Sequence, residues 1–221
     1  MHVHGSGRPA RALARLTVAA LLLGGAGVLG TAPASAATCS DLDFVDARGT
    51  GEPGTLGLIV GDPLYTALKK HISGKSISSY AVDYPASLEP GSASKGNADL
   101  VTHVTDQAAA CPNQKFILGG YSQGANVVDN SLGISSDGAL VGGKIVATIP
   151  AAIEPRVAAV LLFGNPIRAI GRSVTGTYQA RTKDYCANGD PVCQSGGTNV
   201  GAHLSYTQNV DDAAAFAAGR V

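Results

Sequence analysis

Lys115-Phe116-Ile117-Leu118-Gly119-Gly120-Tyr121-Ser122-Gln123-Gly124-Ala125-Asn126-Val127-Val128 runs as an apolar stretch into a glycine-bracketed serine and out into a helix-like stretch. The core of it, Gly120-Tyr121-Ser122-Gln123-Gly124, has the G-x-S-x-G pattern of a strand, a sharp elbow and a helix. The turn is tight enough that side chains two positions either side of the serine would collide, which is why both are glycine. Ser122 is then held at the carboxyl end of a strand, beside a helix N-terminus. Free N–H groups at that end stabilise an alkoxide or a developing oxyanion. Ser122 is therefore the candidate nucleophile.

The start of the chain reads as a targeting segment. Arg8, Arg11 and Arg15 form a positive region, an apolar run over 16–29 follows, and Ala34-Ser35-Ala36 is a small-residue cleavage site. The run is short and glycine-interrupted for a membrane span. The expectation is a secretory signal over 1–36 and a mature domain over 37–221. Removing 36 of the 221 residues leaves 185, one domain's worth. The removed segment takes three of the 16 basic residues and none of the 16 acidic ones, leaving a net charge of −3. With no basic stripe, nucleic acid is excluded as a partner. Cys39, Cys111, Cys186 and Cys193 remain, and four cysteines in an exported chain read as two disulfides. Their spacing alone leaves three pairings open. No C-x-x-C pair occurs, so no metal site is expected.

Outward from the elbow, strand and helix patterns alternate. Strands are expected at 42–47, 76–84, 115–120, 157–163 and 178–185, and helices at 62–72, 94–110, 125–132 and 211–218. Alternation of this kind argues an α/β fold with a mostly parallel sheet covered on both faces. The run 157–163 is continuously apolar, as a central parallel strand is. Sites in such sheets lie at the strands' carboxyl ends. Loops after Ala47, Tyr121 and Tyr185 should meet there.

A serine needs a base, and the base needs an orienting acid. After an elbow serine the chain order is acid, then histidine. His203 is the one histidine that follows Ser122. His71 and His103 precede it, on helices with polar neighbours, and read as surface residues. Asp129, Asp137, Glu154, Asp184 and Asp190 lie between Ser122 and His203. Asp129 sits on the nucleophile's own helix, and Asp137 and Glu154 belong to the segment after it. Asp190, in the short loop Cys186-Ala187-Asn188-Gly189-Asp190-Pro191-Val192-Cys193, is the choice, because a disulfide could close that loop and a cross-linked loop fixes a carboxylate well. Asp184, near a strand end, is the alternative. An oxyanion hole needs the N–H after the serine, from Gln123, and one from an early loop, where Thr50 in Arg48-Gly49-Thr50-Gly51-Glu52 fits.

These pieces together resemble the cutinase family. The matching stretches are Asp46-Ala47-Arg48-Gly49-Thr50-Gly51-Glu52, the elbow, Leu162-Phe163-Gly164-Asn165-Pro166, the Cys186 to Cys193 loop, and Ala202-His203-Leu204-Ser205-Tyr206. The resemblance implies a small lidless α/β-hydrolase with a five-stranded sheet, acting on carboxylic esters without a cofactor. It implies Ser122, Asp190 and His203 as catalytic residues, Thr50 and Gln123 at the oxyanion hole, and disulfides Cys39–Cys111 and Cys186–Cys193. Two departures matter. The loop 194–202 is less apolar than in fungal relatives that degrade plant polymers, which implies short to medium acyl chains. The stretch 134–156 is longer, and reads as a peripheral loop rather than a lid.

The function expected is a secreted, monomeric serine esterase taking lipid, polyester or small esters, with no stable insertion in a membrane. An acyltransferase acting on envelope lipids would use the same groups with a different acceptor. A non-catalytic binding protein on the same scaffold is the third reading, opposed by the complete set of residues.

Overall fold

The computed structural model describes residues 39–221, so the expected targeting segment lies outside the described residues. Among the described residues, five strands form the sheet: β1 (Leu42–Ala47), β2 (Ile77–Ala81), β3 (Lys115–Tyr121), β4 (Val157–Phe163) and β5 (Thr182–Tyr185). All neighbours are parallel, in the order β2-β1-β3-β4-β5. Helices α1 (Gly61–His71), α2 (Ser92–Ala110), α3 (Gln123–Ser131), α4 (Val200–His203) and α5 (Val210–Ala218) connect and cover them.

The apolar runs of the central strands are explained by burial on both faces. Along each strand, successive side chains enter opposite cores. Val45, Phe116, Leu118, Val160 and Leu162 join the layer that also contains buried residues of α2 and α3. Phe44, Ile117, Leu161 and Phe163 join the layer with those of α1 and α5. The two edge strands are shorter than expected. The residues before β5 turn as a 3-10 segment, Gly176–Arg181, and Thr182 Oγ1, just after it, bonds back to the Tyr178 carbonyl. After β2 the chain turns away beyond Val82, whose N–H still donates to the Asp46 carbonyl, with Asp83 N–H bonded to Asp99 instead of to a strand.

Strand order sets the position of the site. The chain leaves β1 for one side of the sheet, and β3 lies on the other. Between β1 and β3 is the switch point, and the loops leaving their carboxyl ends splay apart to open a crevice. The β1 loop carries Thr50 and the β3 elbow carries Ser122. Two disulfides pin the frame. Cys39–Cys111 ties the start of the described chain to the end of α2, and Cys186–Cys193 closes the loop after β5.

Candidate active site

Ser122 stands between β3 and α3 with φ +53° and ψ −116°, a backbone conformation that a non-glycine residue rarely adopts. Its flanking glycines are required by close approach. A Cβ on Gly124 would sit 1.7 Å from the Ala47 carbonyl oxygen, and one on Gly120 would sit 2.7 Å from the Gly124 carbonyl oxygen. The elbow is locked across the sheet by Ser122 N–H donating to the Phe163 carbonyl at 2.9 Å. Gln123 opens α3, so its backbone N–H has no partner inside the helix.

The three separated candidates converge. Ser122 Oγ lies 3.0 Å from His203 Nε2, and His203 Nδ1 lies 2.9 Å from Asp190 Oδ2. Asp190 is fully buried, while Ser122 is 7% exposed and the His203 side chain 14%. His203 ends α4, a single turn capped by the Asn199 side chain, which accepts from Ala202 N–H. The imidazole stacks on the Tyr121 ring, with centroids 5.0 Å apart, and the Tyr121 hydroxyl donates to the His203 carbonyl at 2.8 Å.

Asp190 is held from three sides. Its Oδ1 accepts from Val192 N–H at 2.7 Å. Its Oδ2 accepts from the Tyr206 hydroxyl at 2.5 Å as well as facing His203. The Tyr206 hydroxyl in turn accepts from Ala187 N–H at 2.9 Å. Burial first, and then the bond to Asp190, push the Tyr206 phenol well above its ordinary value, so it remains a donor. The sequence alone assigns Tyr206 no role. Only its place opposite Asp190 shows what the hydroxyl does.

The other acids between Ser122 and His203 do not reach the imidazole. Asp184, the alternative, accepts from Asn165 and pairs with Arg168. Burial pushes its carboxyl up to about 6. Asp129 is fully buried, and burial first, then the Asp184 charge, raise it well above its ordinary value. Asp137 is exposed and Glu154 pairs with Arg181. His71 bonds to Asp211 on α5. His103 corrects the surface reading: it is packed on Tyr80, centroids 3.5 Å apart, and bonded to buried Asp43 at 2.7 Å. The polar face of α2 around it meets a buried carboxylate on β1 rather than water.

Around Ser122 lies a cleft of about 410 Å³, lined by Thr50, Tyr121, Leu88, Leu140, His203 and Leu204 among others. Thr50 Oγ1 is buried with no hydrogen-bond partner. Its loop is held by Glu52, whose carboxylate accepts from Gly49 N–H at 2.7 Å and Ile59 N–H at 2.6 Å. Burial raises Glu52 from its ordinary value, with those backbone bonds opposing the rise. Leu140 and Val141 belong to the segment 134–156, so that segment is not peripheral. It leaves the far end of α3 and runs back along the helix to the cleft.

The Cutinase family model matches residues 38–221. The chain belongs to the cutinase family. A cutinase of Kineococcus radiotolerans is 47% identical over 192 residues, which cover 84% of this chain and 63% of that protein. The carboxylesterase Culp1 of Mycobacterium tuberculosis is 39% identical over 200 residues, covering 85% of each. Among solved structures, a Trichoderma reesei cutinase in complex with a C11Y4 phosphonate inhibitor aligns with a TM-score of 0.66 and 32% identity, over 81% of this chain and 75% of that one. Membership of the cutinase family places the chain among the carboxylic ester hydrolases.

Proposed function

We propose that this cutinase-family chain is a secreted serine esterase whose nucleophile, base and acid are Ser122, His203 and Asp190. The observation that carries the reading is the unbroken chain from Ser122 Oγ through the imidazole to a buried carboxylate, at 3.0 and 2.9 Å. In this mechanism His203 Nε2 takes the Ser122 proton as Oγ attacks the ester carbonyl carbon. Asp190 stabilises the imidazolium without taking its proton. The oxyanion is received by the Gln123 N–H and the Thr50 loop, whose unpartnered hydroxyl is a further donor. His203 then returns the proton to the leaving alcohol, and water repeats the sequence to free the acid.

The lining of Leu88, Leu140, Val141 and Leu204 supports an ester with a short to medium apolar arm. Two disulfides support an oxidising destination, in keeping with a cleaved leader. The test is covalent. A serine-directed alkyl phosphonate should add once to the mature protein, on the peptide containing Ser122. Ser122→Ala should abolish both labelling and ester hydrolysis while the fold is retained. Labelling that persists in Ser122→Ala would remove the assignment.

A further inference from the structure

Val141 has φ +47°, in the left-handed region. For a β-branched residue this is a strained position, and strain of this kind persists only where the surroundings impose it. The surroundings here are one face of α3. Gln123, Asn126 and Asn130 are buried and spaced three and four residues apart, so they form a single stripe on the helix. Each side-chain amide donates to the backbone of the returning segment. Asn126 Nδ2 donates to the Leu140 carbonyl at 2.9 Å and Asn130 Nδ2 to the Gly143 carbonyl at 3.1 Å, while Gln123 Nε2 donates to the Ser87 carbonyl at 2.9 Å and reaches the Val141 carbonyl at 3.4 Å. Within the segment, Ser136 Oγ accepts from Gly143 N–H at 3.0 Å, and Ser136 N–H donates to Asn130 Oδ1 at 2.9 Å.

The consequence is geometric. The helix that begins at Ser122 also grips the Leu140–Gly143 backbone, so the point from which the Leu140 side chain projects is fixed relative to the nucleophile. Leu140 is 59% exposed at the edge of the cleft, with Leu88, 79% exposed, on the same cleft. A leucine fixed there contributes little to the folded core. It offers apolar surface to a ligand that has already reached Ser122.

We infer that Leu140 and Val141 form a rigid specificity wall that contacts the hydrocarbon arm of the ester and sets the preferred chain length. The inference rests on Ser122 being the nucleophile. The wall acts by taking methylene groups out of water, so it discriminates by length and not by the chemistry at the carbonyl.

The experiment measures kcat/KM on soluble p-nitrophenyl acetate and octanoate. Leu140→Ala should lower the octanoate-to-acetate ratio by about tenfold, the effect of losing contact with roughly two methylene groups. Val141→Gly should lower the ratio in the same direction, with no loss in Tm, because glycine accepts the positive φ without strain. Val146→Ala alters an exposed residue of the same segment that does not line the cleft, and should leave the ratio unmoved. An unchanged ratio in Leu140→Ala, or an equal fall in Val146→Ala, would overturn the wall. Full activity in Ser122→Ala would instead overturn the nucleophile on which it rests, so the two failures are distinct.

Discussion

Replacing Tyr206 by Phe separates what holds the acid from what holds the fold. The ring is fully buried and packs edge-on against Tyr121 and Phe163, with centroids 6.0 and 6.1 Å away, contacts that Phe keeps. Only the hydroxyl goes. It donates to Asp190 Oδ2 at 2.5 Å and accepts from Ala187 N–H at 2.9 Å. A bond to a charged group contributes about 1.5–3 kcal/mol, and leaving Ala187 N–H unpaired adds about 1 kcal/mol. A total near 3 kcal/mol lowers Tm by about 6–12 °C for a chain of this size. Catalysis should change in a second way. With one donor gone, the Asp190 carboxylate is placed less firmly, and so is the imidazole it orients. The loosened imidazole should lower kcat by about tenfold. The assay is kcat on a soluble ester, beside thermal melts of the same samples. A lower Tm with kcat unmoved would show that the hydroxyl serves the fold alone, refuting a role through Asp190.

Further outcomes are expected. Ser122→Ala and His203→Ala should each cut esterase activity by roughly 10³-fold or more at unchanged Tm, whereas His71→Ala should leave it intact; equal losses at His71 and His203 would break the assignment. Opening Cys39–Cys111 should cost about 4 kcal/mol and opening Cys186–Cys193 about 2.5 kcal/mol in the chain-entropy treatment. The second should also cost activity at temperatures where the protein remains folded, because that bridge closes the Asp190 loop; denaturant melts and rates on the paired serine variants measure both. Asp129 is raised in the folded state by burial and by Asp184, so the folded protein binds the extra proton, and stability is present at acid pH and lost as pH rises through the raised value. Asp129→Asn should therefore melt higher than the parent at pH 8 and level with it at pH 4; a gain at both would point to packing instead.

Local pattern carried the elements that matter most. The periods of 42–47, 115–121 and 157–163 are those of strands buried on both faces, and burial of that kind is written in consecutive residues. Even so, β2 and β5 are shorter than their sequence patterns, because edge strands stop where a side chain or a 3-10 turn takes their hydrogen bonds, not where apolar residues run out. His103 differs from its sequence pattern for a related reason: a polar neighbourhood on a helix looks the same whether it faces water or a buried Asp43.

For the site, sequence by itself determined which residues are candidates. The elbow glycines, a single histidine after Ser122, and an acid in a cysteine-closed loop restrict the candidates through chain order and local sterics. Pairing of the cysteines came from resemblance, and the fold brings both pairs into bonding distance. What only tertiary structure decided are the relations between residues far apart in the chain. Ser122 and His203 are 81 positions apart, Asp190 and Tyr206 16, and Gln123 and Val141 18. No local period encodes such contacts, because each depends on where two separately folded segments are placed by the sheet. The segment 134–156 shows it most plainly. Its apolar residues carry no helical or strand period, and they became a wall of the cleft only because three amides on α3 bind its backbone.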